Sequence, residues 1–345
     1  MSDTALPGHL PIIQAPMAGV QDSALTVAVS SVGGVGSLPC AMLSREMLAQ
    51  ELQTIKASGI ATYNLNFFSH QPPQPDERQE ARWRNALARY FMEYELDPTS
   101  IPDGPSRRPF CDEALELISP YQPPIVSFHF GLPKREHVEA IKSWKGQVWS
   151  SATTVDEALW LADHGVDAVI AQGIEAGGHR GMFLNRDLST QLETLDLVAA
   201  IQNAVSVPVI ASGGISTPEQ VRAAMDVGAQ AVQLGTTYLL CKEAKTSRIH
   251  RNLLRSPRSS NTQLTNLFSG GIARGIPNRL MEEMGPISDA PPVFPLAASA
   301  LAPLRAVAEG RDKEDFSPLW CGTDATGCRA VSAAEQTLWL AQQLD

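Results

Sequence analysis

Short apolar runs recur along the chain, and segments with the periodicity of amphipathic helices separate most of them. The eight runs are PIIQAP (11–16), GGVGSLP (33–39), ATYNLNFF (61–68), PIVSFHFG (124–131), QVWSSA (147–152), DAVIAQG (167–173), PVIASGG (208–214) and AVQLGTT (231–237). Strands that alternate with helices are typical of parallel β/α units. The pattern therefore predicts an α/β fold, a (β/α)8 TIM barrel with a smaller, mostly helical inserted subdomain.

Residues at the boundaries of the predicted helices support this alternation. Ser216 and Glu219 form a capping-box pattern, Pro218 falls in the first turn, and Gly228 lies where a carboxyl-terminal cap is expected. Glycine and polar residues follow the apolar runs rather than precede them. Because ligands bind at this end of a parallel barrel, the functional residues are expected there.

Two regions are longer than one crossover helix requires. The first, about residues 69–120, contains a predicted helix and a Pro/Arg-rich loop at 102–109. The second, residues 242–315, is predicted to be mostly helical. One face of the helix in the first region is apolar, and we expect it to pack on the barrel. Its residues are Trp83, Leu87, Tyr90, Phe91 and Tyr94.

These lengths divide the chain into three predicted parts. Residues 1–241 form the cofactor-binding barrel, with the helical insertion at about 69–120. Residues 242–315 form a helical lid over the substrate site at the barrel mouth. Residues 316–345 contain a final helix that returns to the barrel.

Composition narrows the class of protein. With 43% hydrophobic residues, the 345-residue chain can bury a large core. Its net charge is −10 and it has no Lys/Arg block, which argues against nucleic-acid binding. Since it shows neither a signal-peptide pattern nor a run of about 18 apolar residues, we expect no membrane span and a cytoplasmic protein. The sequence has no CxxC pairs, no HExxH and no clustered acids, so we expect neither a metal site nor a disulfide framework.

Glycines at the ends of the last two predicted strands indicate an anion site. Gly213 and Gly214 follow the seventh strand, and Gly235 and Thr236 follow the eighth. Backbone N–H groups in such loops bind phosphate in many α/β barrels, although the glycines would also suit tight turns. After strand one, Met17 lies where the edge of a flat ring would rest. The edge of a flavin pyrimidine carries both hydrogen-bond donors and acceptors. The amides of Asn64 and Gln172 also donate and accept, so they suit such an edge.

The stretch AQGIEAGGHRG (171–181) places a histidine among four glycines after a predicted strand. Glycine there lets the backbone approach a ligand or adopt positive φ, whereas a tight surface turn would explain the glycines alone. His179 in this stretch and His129 at the end of the fourth strand can reach one cavity, because their strands are two apart. No GxSxG, GxGxxG or Walker A pattern occurs, so neither a hydrolase triad nor those nucleotide-binding loops are indicated.

Seven motifs, in order, resemble those of the nitronate monooxygenases, once called 2-nitropropane dioxygenases. They are QAPMAG, YNLNFF, SFHFGLP, QGIEAGGHRG, ASGGI, QLGTTYL and FSGGIARGIPNRLM. Three of them, YNLNFF, FHFGLP and EAGGHRG, resemble the class I branch. The resemblance implies an FMN enzyme that oxidises alkyl nitronates, such as propionate 3-nitronate, with O2 to a carbonyl compound and nitrite.

The same resemblance assigns roles to individual residues. It implies that His179 is the catalytic histidine beside flavin and nitronate, and that His129 lies on the substrate side. A nitronate is an anion that needs a cationic or donating neighbour, whereas a neutral nitroalkane needs a base that removes its α-proton. The residues implied to hold FMN are Met17, Asn64, Gln172, Gly177, Gly213, Gly214, Gln233, Gly235 and Thr236.

Two positions depart from the family pattern. The segment FSGGIARG has Gly271 where family members often have arginine, although Arg274 is kept. Near the carboxyl terminus, Phe316 and Trp320 stand in a region where tyrosines are expected.

Two other functions are compatible with these motifs. An FMN-dependent NAD(P)H reductase of a quinone or an enoyl thioester, as in enoyl reductases of the FabK type, shares the glycine clusters and a histidine. A non-catalytic FMN-binding protein would share the phosphate loops. FHFGLP argues against the reductase, and the presence of both His129 and His179 argues against a non-catalytic protein.

Overall fold

A computed structural model describes residues 6–98, 101 and 107–344. Its strands are β1 (Ile12–Gln14), β2 (Gly36–Pro39), β3 (Tyr63–Phe68), β4 (Ile125–His129), β5 (Gln147–Ala152), β6 (Ala168–Gln172), β7 (Gly178–His179), β8 (Val209–Ser212), β9 (Ala231–Leu234), β10 (Gln263–Thr265) and β11 (Ala273–Gly275). Its helices are α1 (Ser23–Ser30), α2 (Arg45–Ser58), α3 (Glu77–Glu93), α4 (Asp112–Ile118), α5 (Arg135–Ser143), α6 (Val155–Asp163), α7 (Thr194–Gln202), α8 (Pro218–Asp226), α9 (Arg248–Leu254), α10 (Arg279–Met284), α11 (Ala297–Gly310) and α12 (Ala333–Leu340).

Eight parallel strands form the barrel, in the order β1-β9-β8-β6-β5-β4-β3-β2. A parallel bridge between Ile13 and Val35 joins the two ends of this sheet. Every barrel strand lies within one of the eight apolar runs, so the predicted (β/α)8 fold is confirmed. The final helix α12 packs against α1 and α8, the position of an outer barrel helix.

The barrel interior is apolar in one layer and polar in another. Trp149 and Ile125 belong to an apolar cluster to which six barrel strands contribute. The polar layer includes the fully buried Ser37, Asn64 and Ser127. The Asn64 amide donates to the hydroxyls of Ser37 at 3.0 Å and Ser127 at 2.9 Å. Hydrogen bonds of this kind remove most of the cost of burying polar groups.

The aromatic face of α3 packs on a second core, not on the barrel as its sequence suggests. The Trp83 indole N–H donates to the carbonyl of Ala297 in α11 at 3.1 Å. Phe316 meets the rings of Tyr90 and Tyr94 edge-on at 5.1 Å and 5.4 Å. A helical apolar stripe shows which residues are buried but does not show what covers them. Residues 102–106 of the predicted Pro/Arg-rich loop lie outside the described residues.

A small antiparallel sheet joins the region after the barrel to the loop after β6. Its order is β10-β11-β7, so the predicted mostly helical region 242–315 also contributes two strands. In β7, His179 pairs with Ala273, and Gly178 pairs with Arg274. The sheet therefore fixes the backbone of His179 from outside the barrel.

Helix α8 begins one residue later than its sequence pattern suggests. Thr217, not Ser216, is the N-cap, and its capping-box partner is Gln220, not Glu219. A Gln at this position can reach back to the N-cap backbone as well as a Glu does. Among the described residues, no helix combines the length and apolarity needed to cross a membrane.

Candidate active site

A cleft of about 250 Å³ opens at the carboxyl ends of the barrel strands. It lies where parallel barrels bind their ligands. Ten of the predicted site residues line it: Met17, His129, Gln172, Gly177, His179, Gly213, Gly214, Gln233, Gly235 and Thr236. The structure thus brings together residues that are widely separated in the sequence.

Asn64 is the predicted site residue that the structure does not place in the cleft. Its side chain lies in the polar layer inside the barrel, bonded to Ser37 and Ser127. Asn66, two residues further along β3, lines the cleft instead. Alternate residues of a strand point to the same side, so the sequence pattern indicates the correct face but not the depth.

The glycine loops after β8 and β9 offer unpaired N–H groups to an anion. Among the described residues, the backbone N–H groups of Gly213, Gly214, Gly235 and Thr236 donate no hydrogen bond. Gly213 has φ +124° and Gly214 φ +64°, so both adopt backbone conformations that other residues rarely take. Unpaired N–H groups that line one cavity suit a phosphate. This end of the cleft therefore fits the phosphate of a mononucleotide.

Gln233 offers a second unpaired polar group. Its side-chain oxygen is buried without a hydrogen-bond partner, although the residue lines the cleft. A buried acceptor of this kind normally has a donor, and the ring N–H of a flavin would supply one. This acceptor and the N–H groups of the glycine loops together suit a flavin mononucleotide.

The side chain of Gln172 bonds to the backbone of the loop that carries His179. Its amide nitrogen donates to the carbonyl of His179 at 2.9 Å. Its amide oxygen accepts from the N–H of Gly181 at 2.8 Å. Because both ends of the amide are occupied by the backbone, the side chain holds the loop that carries His179.

The loop around His179 is shaped by close packing as well as by glycine. A Cβ at Gly177 would lie 2.5 Å from the backbone nitrogen of Gly322. Gly178 has φ +75°, and a Cβ there would meet nothing within 4 Å. Arg180 is 2% exposed and donates to the carbonyls of Gln172 and Gly173. The loop is therefore tightly packed at Gly177 and Arg180, whereas the space beside Gly178, next to His179, is open.

His179 lies in the cleft wall between the barrel and the small sheet. Its Nε2 is 2.7 Å from the hydroxyl of Ser269, a contact that the sequence did not indicate. Its ring meets those of Phe294 and Trp320 at 5.2 Å and 5.4 Å. Burial, and secondarily the charge of Arg107, hold the pKa of His179 well below its usual value. The imidazole is therefore neutral at pH 7 and can accept a proton.

His129 uses both ring nitrogens on protein groups. Nε2 is 3.1 Å from the carbonyl of His179, and Nδ1 is 3.0 Å from the Ser151 hydroxyl. A carbonyl only accepts, so Nε2 carries the proton and Nδ1 accepts from Ser151. Burial lowers the pKa of His129 to about 4, which agrees with this neutral form. His129 and Gln172 thus hold the same carbonyl.

Two arginines that the sequence did not single out line the cleft. Burial, with the nearby charge of Arg305, lowers the pKa of Arg107 to about 10, so Arg107 stays charged at pH 7. Arg274, which is kept from the family pattern, donates to the carbonyls of Ile174 and Thr262. A Cβ at Gly271 would lie 3.4 Å from the His179 ring, so the departure from the family pattern falls beside His179.

The profile of the family described as nitronate monooxygenase matches residues 3–339. The chain belongs to the nitronate monooxygenase family. A nitronate monooxygenase from Pseudomonas aeruginosa is 37% identical over 343 residues, which cover 97% of this chain and 96% of the relative. One from Paraburkholderia phytofirmans is 35% identical and covers 97% of this chain and 92% of the relative. The family resemblance of the seven motifs is confirmed.

Solved structures agree with this family. A nitroalkane oxidase from Streptomyces ansochromogenes matches with a TM-score of 0.89 and 34% identity over 98% of this chain and 96% of that chain. FabK from Thermotoga maritima matches with a TM-score of 0.70 at 21% identity over 97% of this chain and 92% of that chain, a similarity that shows the fold alone. Nitronate monooxygenases are flavin-dependent oxidoreductases, and the chain is an enzyme of this class.

Because His129 contacts the His179 backbone, we expect its replacement to change kcat rather than KM. We expect His129→Phe to lower kcat on a nitronate about 10-fold or more, because a displaced catalytic group loses rate steeply. His129→Gln keeps a donor near the position of Nε2 and should stay within a few-fold of wild type. Steady-state kinetics of both variants, with flavin content measured on the same samples, test this. Equal rises of KM at unchanged kcat would instead mean that His129 contacts the substrate, as the sequence predicts.

Proposed function

We propose that this nitronate monooxygenase holds FMN and oxidises alkyl nitronates with O2, releasing a carbonyl compound and nitrite. One observation carries the proposal: a set of unpaired N–H groups and a neutral, half-buried histidine line the same cleft. The N–H groups of Gly213, Gly214, Gly235 and Thr236 would bind the phosphate. The flavin, when bound, supplies electron acceptance and the reaction with O2.

The protein's own contribution is to bind and orient the substrate. His179 would donate a hydrogen bond to a nitronate, or remove the α-proton of a neutral nitroalkane. The Ser269 hydroxyl can accept from Nε2–H or donate to Nε2. In the first case Nδ1 holds the lone pair that takes the proton of a nitroalkane, and in the second Nδ1–H is the donor to a nitronate. The rings of Phe68, Phe294 and Trp320 lie around this part of the cleft and would limit water at the alkyl chain.

Oxygen uptake without a nicotinamide is the direct test. The purified protein, reconstituted with FMN, should consume O2 and release nitrite when it is given propionate 3-nitronate or propyl 1-nitronate. Parallel assays with NADH and NADPH serve as the comparison. Rapid NADH oxidation without nitronate turnover would support the reductase, and no turnover of any kind would support a non-catalytic flavin-binding protein.

A further inference from the structure

The peptide group between Gly213 and Gly214 is the part of the β8 loop that can rotate with the least steric cost. Both residues have positive φ, +124° and +64°. Glycine takes positive and negative φ with similar ease, so a peptide between two glycines can turn over. In a trans peptide the carbonyl and the N–H point in opposite directions. The direction of the Gly213 carbonyl therefore decides whether the cleft receives the N–H of Gly214 or a carbonyl oxygen.

A buried hydroxyl fixes the direction of that carbonyl. The Thr194 hydroxyl lies 2.9 Å from the carbonyl oxygen of Gly213, and it is the donor because a carbonyl only accepts. Thr194 is 1% exposed and is the first residue of α7. With the carbonyl bonded to α7, the N–H of Gly214 points away from α7. Gly214 lines the cleft, and among the described residues its N–H donates no hydrogen bond, so it is available to an anion.

The loops after β6 and β8 are shaped around the Thr194 side chain. A Cβ at Gly173 would lie 2.0 Å from its hydroxyl oxygen, and a Cβ at Gly213 would lie 2.8 Å from the same atom. The Glu175 carboxylate accepts from the backbone N–H of Thr194 at 2.6 Å. Two glycines thus make room for the hydroxyl, and a carboxylate fixes the backbone that carries it.

Glu175 also competes with Gly213 for the hydrogen of this hydroxyl. Its carboxylate lies 2.5 Å from the hydroxyl oxygen of Thr194. Both partners are acceptors, and a hydroxyl has one hydrogen. A Cβ at Gly214 would lie 3.2 Å from Oε1 of Glu175, so a negative charge there would repel a phosphate bound to the loop. The group that favours the phosphate is therefore the hydroxyl and not the carboxylate.

We propose that Thr194 is a positioning residue for the flavin phosphate. Its hydroxyl holds the peptide between Gly213 and Gly214 so that the N–H of Gly214 faces the cleft. Without the hydroxyl, this peptide can turn over and present a carbonyl oxygen, which repels a phosphate. Thr194 does not itself line the cleft, so it acts through the backbone of the β8 loop. The proposal rests on the FMN site of the proposed function.

FMN and riboflavin test this proposal, because they share the ring and the ribityl chain and differ in the phosphate. Fluorescence titration of the flavin-free protein gives a Kd for each ligand. Thr194→Val should weaken FMN binding about 10- to 100-fold, the effect of leaving a buried polar group without its partner. It should change riboflavin binding only a few-fold. Thr194→Ser keeps the hydroxyl and should retain most of the affinity for FMN.

Two further variants separate the hydroxyl from its surroundings. Thr190 is exposed, lies four residues before Thr194 and donates its hydroxyl to the carbonyl of Asp187 at 2.8 Å. Thr190→Val removes the same group and should leave both affinities unchanged. Glu175→Gln introduces an amide that can donate to the Thr194 hydroxyl oxygen, which leaves the hydroxyl hydrogen for Gly213. This variant should therefore bind FMN at least as tightly as the wild type.

The outcomes separate the positioning role from the proposed function. Equal losses of FMN and riboflavin binding in Thr194→Val would show a general disturbance of the cleft and overturn the proposal. A loss of FMN binding in Glu175→Gln as large as that in Thr194→Val would also overturn it. If the wild type binds neither flavin, the cofactor of the proposed function fails. In that case, calorimetric binding of inorganic phosphate by the wild type but not by Thr194→Val still establishes the positioning role, and any other result rejects it.

Discussion

Gly235→Asp is expected to leave the barrel folded and to abolish FMN binding. A Cβ at this position would lie 3.5 Å from the Cβ of Ala15 and 3.6 Å from the sulfur of Met17, which is ordinary contact. The new carboxylate would compete for the unpaired N–H groups and repel the phosphate. Two like charges about 4 Å apart near a protein surface repel by about 4 kcal/mol, a weakening on the order of 1000-fold.

Gly235→Asn is the matched control for this result, because it has the same shape without the charge. Visible absorbance of the purified proteins and titration with FMN measure the loss, and circular dichroism checks the fold. Full flavin content in Gly235→Asp would contradict the phosphate site. Equal flavin loss in Gly235→Asn would assign the effect to size rather than to charge.

His179→Asn should keep FMN and lose most nitroalkane oxidation. The glycine loops that we propose to bind the phosphate follow other strands, so the flavin content should stay at the wild-type level. Removal of the α-proton of a neutral nitroalkane needs a base, and general-base catalysis is typically worth about 10²–10⁴-fold. A preformed nitronate has already lost this proton, so its oxidation should fall less. Values of kcat/KM for a nitroalkane and for its nitronate, in both proteins, measure the difference.

The pH dependence of the wild type gives a second check on His179. Because its pKa is lowered, the neutral base form persists as the pH falls below the usual range of histidine. Nitroalkane kcat/KM should therefore hold its value at pH 6 and decline only in more acidic solution. A decline centred near the ordinary pKa of about 6.5 would contradict a His179 whose pKa is lowered. An unchanged nitroalkane rate in His179→Asn would show that the residue is not the base.

Local sequence patterns were sufficient to predict the barrel and most of the residues that line the cleft. Each strand of a parallel barrel is a short apolar run bounded by polar or glycine residues, so all eight are visible in the sequence. Since the carboxyl ends of parallel strands meet at one face, the glycines after β8 and β9, the histidine at the end of β4 and the histidine after β6 had to share that face. The same reasoning could not separate Asn64 from Asn66, because both lie on the same side of β3 at different depths.

Long-range packing decided which other residues line the cleft and what covers the aromatic face of α3. Arg107 and Arg305 line the cleft, but they belong to segments whose local sequence resembles an ordinary loop and an ordinary helix. The aromatic face of α3 packs on residues more than two hundred positions away, as the hydrogen bond from Trp83 to Ala297 shows. The sequence by itself determined the barrel, the glycine loops after β8 and β9 and the position of His179 at the strand ends, because these depend on local periodicity and on glycine. Only the tertiary structure decided that Gln172 and His129 hold the His179 carbonyl, because hydrogen bonds between strands depend on register and depth, which local patterns do not encode.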